Sequence, residues 1–251
     1  MSYENADNVT YEWAESATFG ATSVVHYIQG IRGKVGFVRD LAVDITTSMV
    51  GTTSVPEIQV GISSGDTTYG RYRLGTTASA GYGISYWSAS DDPFIVGNPP
   101  RTASDYAGHI VLDGSPYTSS GTAGGSYSTV LLQGRIPRSG LVVTNVVQGL
   151  TSSQWRIYLR DPLDPNIVTG QLVNVLGVQG VTGGPLIAAA ITTVSTANNY
   201  IEVTGTFGGA YTSGGVVNFV VAVTLKAGVG GTPTGGGIPR VKVQWIGVSV
   251  P

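Results

Sequence analysis

The 251-residue chain contains no cysteine. That excludes disulfide staples, thiolate zinc sites and thiol catalysis, and it fits folding and assembly in a reducing cytoplasm. Histidine is nearly absent, with only His26 and His109. A hydrolytic triad needs a base beside a nucleophile and an orienting acid; both histidines lie in or beside strand-like apolar stretches and read as strand residues. Charge is scarce too: Asp, Glu, Lys and Arg make up 11% of the chain, against about 25% in an ordinary globular domain. Net charge is −2, with no basic cluster or tail, so the electrostatic footprint of a nucleic-acid-binding protein is missing. No stretch approaches the roughly 18 uncharged apolar residues of a membrane-crossing helix. The first twenty residues also lack the basic-then-apolar pattern of a signal peptide.

What the chain does have is glycine, 37 in all, together with abundant Val, Thr and Ser and a hydrophobic content of 41%. Such a composition has little helix-forming and much strand-forming capacity, and it is too apolar for disorder. Period-two alternation recurs along the sequence. Val35, Phe37, Leu41, Val43 and Ile45 fall on one face of a segment whose other face carries Asp40, Asp44, Thr46 and Ser48. Arg39 interrupts the inner face, which predicts a bulge or an edge there. Trp155, Ile157 and Leu159 alternate with Gln154, Arg156, Tyr158 and Arg160. Ile201, Val203 and Phe207 face inward from another strand. Val217, Phe219, Val221, Val223 and Leu225 form the strongest inner face, and Val241, Val243 and Trp245 close the pattern. About eleven or twelve strands separated by Gly, Ser, Pro and Asn turns predict an all-β fold, a β-sandwich or jelly roll. Residues 78–100, 121–125 and 228–237 read as loops from their glycine and proline content. The expected organisation is an extended N-terminal arm over residues 1–20 and a single sandwich domain over residues 21–251.

The arm carries Glu4, Asp7, Glu12 and Glu15 with no lysine or arginine, and the aromatics Tyr3, Tyr11, Trp13 and Phe19 are interspersed. Two readings stand side by side: a polar tail followed by an edge strand, and an arm that docks its aromatics on a partner with a basic surface. On the second, Tyr3, Glu4, Tyr11, Glu12, Trp13, Glu15 and Phe19 are the contact residues. Tyr82, Tyr86 and Trp87 form a second aromatic cluster, either packing within a loop or offering a surface patch to a sugar or protein.

Motifs for chemistry are weak. A glycosidase needs two carboxylates, and the candidates Asp91, Asp92, Asp105, Asp113, Asp161 and Asp164 mostly lie in Pro- or Gly-bounded turns, where aspartate bonds its own backbone. The pairs Asp91/Asp92 and Asp161/Asp164 are the only ones worth testing for calcium, and nothing resembles a twelve-residue calcium loop. Residues 228–232 are glycine-rich but lack the lysine of a phosphate-binding loop. No Gly-x-Ser-x-Gly elbow occurs. The expectation is a protein with no enzymatic activity, no metal and no cofactor.

The run Gly33-Lys34-Val35-Gly36-Phe37-Val38-Arg39-Asp40-Leu41-Ala42-Val43-Asp44-Ile45-Thr46-Thr47, with residues 56–62 and 69–75 after it, resembles the opening strands of tailed-bacteriophage jelly-roll virion proteins. Residues 238–248 resemble the closing strand of such modules. The resemblance implies a capsid cement, or decoration, protein. Such a protein sits on the outside of the virion head, clamps the major capsid protein, and is made in the host cytoplasm. It carries over no catalytic residue. Sparse charge and long uncovered edges add the expectation of a homo-oligomer, dimer or trimer. The competing readings are a tail or fibre protein that binds a host receptor or glycan, a sandwich enzyme acting on glycans, and the shell protein of a small jelly-roll virus. The acidic N-terminus counts against the last, because a basic interior arm normally neutralises the genome.

Overall fold

In a computed structural model, the structure describes residues 8–19, 24–47, 49–50, 57–73, 77–78, 83–84, 110–111, 128–132, 134–226 and 235–247. Every regular element among them is a strand, as the alternation requires. The strands of the first half are β1 (Asn8–Ala14), β2 (Ala17–Phe19), β3 (Val24–Gln29), β4 (Lys34–Thr47), β5 (Met49–Val50), β6 (Glu57–Gly61), β7 (Gly70–Arg73), β8 (Thr77–Ala78), β9 (Gly83–Ile84), β10 (Ile110–Val111) and β11 (Ser128–Leu132). Those of the second half are β12 (Leu141–Gln148), β13 (Gln154–Leu159), β14 (Leu172–Leu176), β15 (Gln179–Thr182), β16 (Leu186–Ser195), β17 (Tyr200–Thr204), β18 (Gly208–Ser213), β19 (Val216–Lys226) and β20 (Gly235–Gly247). The chain is therefore cut into more strands than the eleven or twelve expected. Several are two-residue pairings too short to announce themselves by periodicity.

Two sheets make a sandwich. One runs β1-β20-β4-β9, with β2 also on β20; the other contains β10-β11-β7-β6-β19, with β3 on β19. Their inner faces share one continuous apolar core, in which Leu41, Val241, Val243 and Trp245 face Ile58, Val60, Tyr72, Val221 and Val223. Beyond the sandwich the second sheet continues β19-β12-β13-β17-β16-β14, and β14 pairs with β19 again. These six strands thus close an antiparallel ring, in which each strand pairs with a neighbour on either side. Trp155, Ile157, Leu159, Val173, Val175, Ile191, Ile201, Val203 and Phe219 from the ring strands belong to the same core.

Strand β19 belongs to both parts. Along one side it meets β3 and then β12, held by Gly30 N–H to Phe219 O (2.8 Å) and Phe219 N–H to Ser139 Oγ (2.9 Å). Along the other it meets β6 and β14, which abut through Leu172 N–H to Ile62 O (3.0 Å). The expected inner face, Val217 to Leu225, is buried throughout. The opposite face is buried as well, with Asn218, Val220, Ala222 and Thr224 covered; Gly65 N–H caps the Thr224 hydroxyl at 2.9 Å.

The expected bulge in β4 is present. Its register with β20 steps from Lys242↔Asp40 to Val243↔Val38, leaving Arg39 unopposed. The extra residue reverses the alternation on its N-terminal side. Val38, not Phe37, turns into the core beside Val243, while Phe37 lies under the Arg39 guanidinium (5.5 Å) opposite Gln244. Residues 235–237, read as part of a loop, are the first residues of β20 and pair with β2. Gly36 is required by a close approach: a Cβ there would stand 2.6 Å from Trp245 Cζ3 and 2.9 Å from Ile136 Cδ1. Trp245 is fully buried and cannot swing aside. Gly36→Ala is expected to cost about 2 kcal/mol through overpacking, read as a lowered urea midpoint with an unchanged slope.

Candidate functional site

The first candidate is the expected arm. Its described part is folded into the sandwich: β1 pairs with β20 along its whole length, from Asn8↔Ile246 to Ala14↔Arg240. Strand partners share a face, so Val9, Tyr11 and Trp13 lie on the side of Trp245, Val243 and Val241. Trp13 packs against the core, 5.0 Å between ring centroids from His26 of β3. Tyr11 and Val9 reach the rim and remain 44% and 38% exposed. The described acids of the arm meet side chains of this same chain. Glu12 binds Arg240 at 2.8 Å and Lys242 at 3.8 Å, and Glu15 lies 3.0 Å from His26 Nδ1. Phe19 is in β2, its backbone opposite Gly235. Tyr3 and Glu4 lie outside the described residues, as do Tyr82, Tyr86, Trp87, His109, Asp91, Asp92, Asp105 and Asp113.

The Asp161/Asp164 turn is built by arginines. Arg138 binds Asp161 at 2.6 Å, and Arg135 binds Asp164 at 2.6 Å. Asp164 also accepts hydrogen bonds from the backbone N–H (2.9 Å) and side-chain amide (2.7 Å) of Asn166. Burial disfavours its charged form, but these bonds and the Arg135 guanidinium outweigh burial and hold the carboxyl below its ordinary value. Such a lowered value stabilises the fold above the unfolded aspartate pKa, about 3.9, and the contribution is lost as pH falls through the folded value. Asp164→Asn is therefore expected to lower the urea midpoint at neutral pH and to shrink the further drop between neutral and strongly acid pH.

A third cluster, not singled out from sequence, lies on the outer surface of the ring. Arg156 on β13 and Glu202 on β17 are directly paired, as are Tyr158 and Tyr200. The Glu202 side chain is 1% exposed. Its Oε1 accepts from Arg156 Nε at 2.8 Å and lies 2.7 Å from Arg156 Nη2, while Oε2 accepts from Thr193 Oγ1 at 3.0 Å. The guanidinium covers the Tyr200 ring at 4.8 Å, and Tyr200 meets Tyr158 edge-on at 5.5 Å. Hydrogen bonding to Glu202 raises the Arg156 pKa further. The signal was present as outward positions alternating with Trp155, Ile157, Ile201 and Val203, but the sequence does not say that the two strands are neighbours.

Each carboxylate whose side chain is described is thus already held. Besides those above, Asp40 meets Lys242 at 3.4 Å, Glu57 meets Lys226 at 3.5 Å, and Asp66 accepts from the N–H groups of Ile62 and Thr68. Among the described residues no group of three or more His, Asp or Glu side chains is placed to hold a metal ion. The class these features define is a mainly antiparallel all-β scaffold whose described acids serve its own architecture. Comparison with protein-family models, with curated proteins and with solved structures gives no match.

Proposed function

We propose that the protein is a non-enzymatic structural component of a virus particle, a cement protein that binds the outside of a tailed-phage head and stabilises it by contact with the major capsid protein. The observation that carries this reading is the pairing of charges within the chain. With the described carboxylates held by the chain's own cations and N–H groups, none stands ready as a general acid or base. Among the described residues the charge left for steering a partner is small, which suits a surface meant to be covered. Large apolar side chains stand out of that surface, above all Leu150 at the β12–β13 turn (78% exposed) and Ile187 on β16 (62%). A protein that binds only the assembled shell stabilises it by mass action.

The test is binding of the purified protein to undecorated phage-type shells. Saturable binding that raises the shell melting temperature, weakened in Leu150→Asp and Ile187→Asp, is the expected result. A second reading, a tail or fibre protein that recognises a receptor or glycan, draws on the Tyr158–Tyr200 pair with its flanking arginine, since aromatic side chains give contact area at low entropy cost. Absence of shell binding, with binding instead to cells or polysaccharide that Tyr158→Ala abolishes, would replace the first reading by the second.

A further inference from the structure

We infer that β1 pairs antiparallel with β1 of a second copy of this chain across a two-fold axis at Tyr11, extending the β1-β20-β4-β9 sheet from one subunit into the next. Strand β1 ends its sheet, and among the described residues only β20 pairs with it. Residues 9–16 are exposed except for Trp13. The strand carries none of the usual guards of an edge: no proline, no lysine, and no register shift along its seven pairs with β20. Its one charge, Glu12, is already answered by Arg240 and Lys242 on the neighbouring strand. Val9 and Tyr11 belong to the core side of the sheet yet emerge at its rim. A strand laid along β1 would cover them.

The sequence of β1, Asn-Val-Thr-Tyr-Glu-Trp-Ala, complements itself about its middle residue. An axis at Tyr11 sets Tyr11 against Tyr11, Val9 against Trp13, Thr10 against Glu12 and Asn8 against Ala14. All seven residues are used, aromatic and β-branched side chains meet on one face, and no like charges stand opposite. An axis at Glu12 would place two carboxylates face to face. One at Thr10 would leave Trp13 and Ala14 unmatched. A parallel, in-register pair would again align the glutamates. Self-complementarity of this kind is what a two-fold interface requires, and it selects a second copy over an unrelated strand. The inference holds whether or not a phage shell is the outer partner.

Because the chain has no cysteine, single cysteines read the register directly. Opposed residues of an antiparallel pair have Cα atoms about 4.5–5.5 Å apart, within the roughly 4.4–6.8 Å span of a disulfide. Residues on one strand two positions from such a partner fall outside it. Under mild oxidation Tyr11→Cys is expected to give a covalent dimer, with at least tenfold higher yield than Thr10→Cys or Glu12→Cys alone. An equimolar mixture of the latter two should cross-link to each other. Wild-type protein should scatter light as a dimer at micromolar concentration, and Val9→Lys/Tyr11→Lys as a monomer with an unchanged circular dichroism spectrum. If the double variant loses its fold, the cysteine pattern still decides. A wild-type monomer or trimer, or cross-linking no stronger at position 11 than at 10 or 12, overturns the inference.

Discussion

Replacing Arg156 by alanine is expected to destabilise the fold by about 3 kcal/mol, read as a lowered urea midpoint with little change in slope. The cause is the partner left behind. Glu202 is 1% exposed, and its Oε1 is answered by the guanidinium while Oε2 has only the Thr193 hydroxyl. Without Arg156 the carboxylate keeps a single neutral donor, and a charge left without its partner costs more than the pair contributes when intact. The cation over the Tyr200 ring is lost as well, along with the aliphatic stem covering the sheet. The companion variant separates these effects. Arg156→Met/Glu202→Leu removes both charges, keeps the covering volume, and is expected to recover most of the loss. A double-mutant cycle giving a coupling below about 0.5 kcal/mol would mean that the pair behaves like an ordinary surface ion pair and that the burial of Glu202 is not maintained in solution.

The architecture could be read from the sequence as far as alternation reaches. Trp155, Ile157 and Leu159, the β19 series from Val217 to Leu225, and Val241, Val243 and Trp245 are the inner faces that the period of two picks out, and all are buried. Arg39 marked its own bulge, but the consequence of a bulge is a change of phase. Phe37 and Val38 therefore exchange the roles that unbroken alternation assigned them. Ring closure was not legible, because the pairing that completes it, Val173 with Phe219, joins distant residues whose own patterns are those of any strand. The β15–β18 pair was missed for a different reason. Its residues are mostly Gly, Thr, Ser and Gln, a composition that reads as loop. The same limit governs the candidate sites. The acids of the arm were visible, but the cation opposite Glu12 is Arg240, 228 positions away. A sequence shows which charges exist before it shows which of them are already spoken for.

The double role of β19 leads to the other large effect. Phe219 is 1% exposed and sits where the ring meets the sandwich: its backbone bonds Ser139 and Gly30 on one side, and it is paired with Val173 on the other. Phe219→Ala is expected to cost about 4 kcal/mol, the usual scale for a large aromatic removed from a core that cannot collapse around the cavity. The informative result is where that loss is felt. Trp155 lies inside the ring and Trp245 inside the sandwich, both fully buried, so single-tryptophan variants retaining one or the other report separately on the two parts. Because one strand supplies inner-face residues to both, neither part keeps its core when β19 leaves. Each single-tryptophan background has its own midpoint, so the shift within each is what decides: Phe219→Ala should move the Trp155 and the Trp245 curves by the same free energy, as one cooperative two-state unit demands. If the substitution shifted the Trp155 curve and left the Trp245 curve in place, the ring and the sandwich would be separate folding units, and β19 would be a seam between them and not a shared spine.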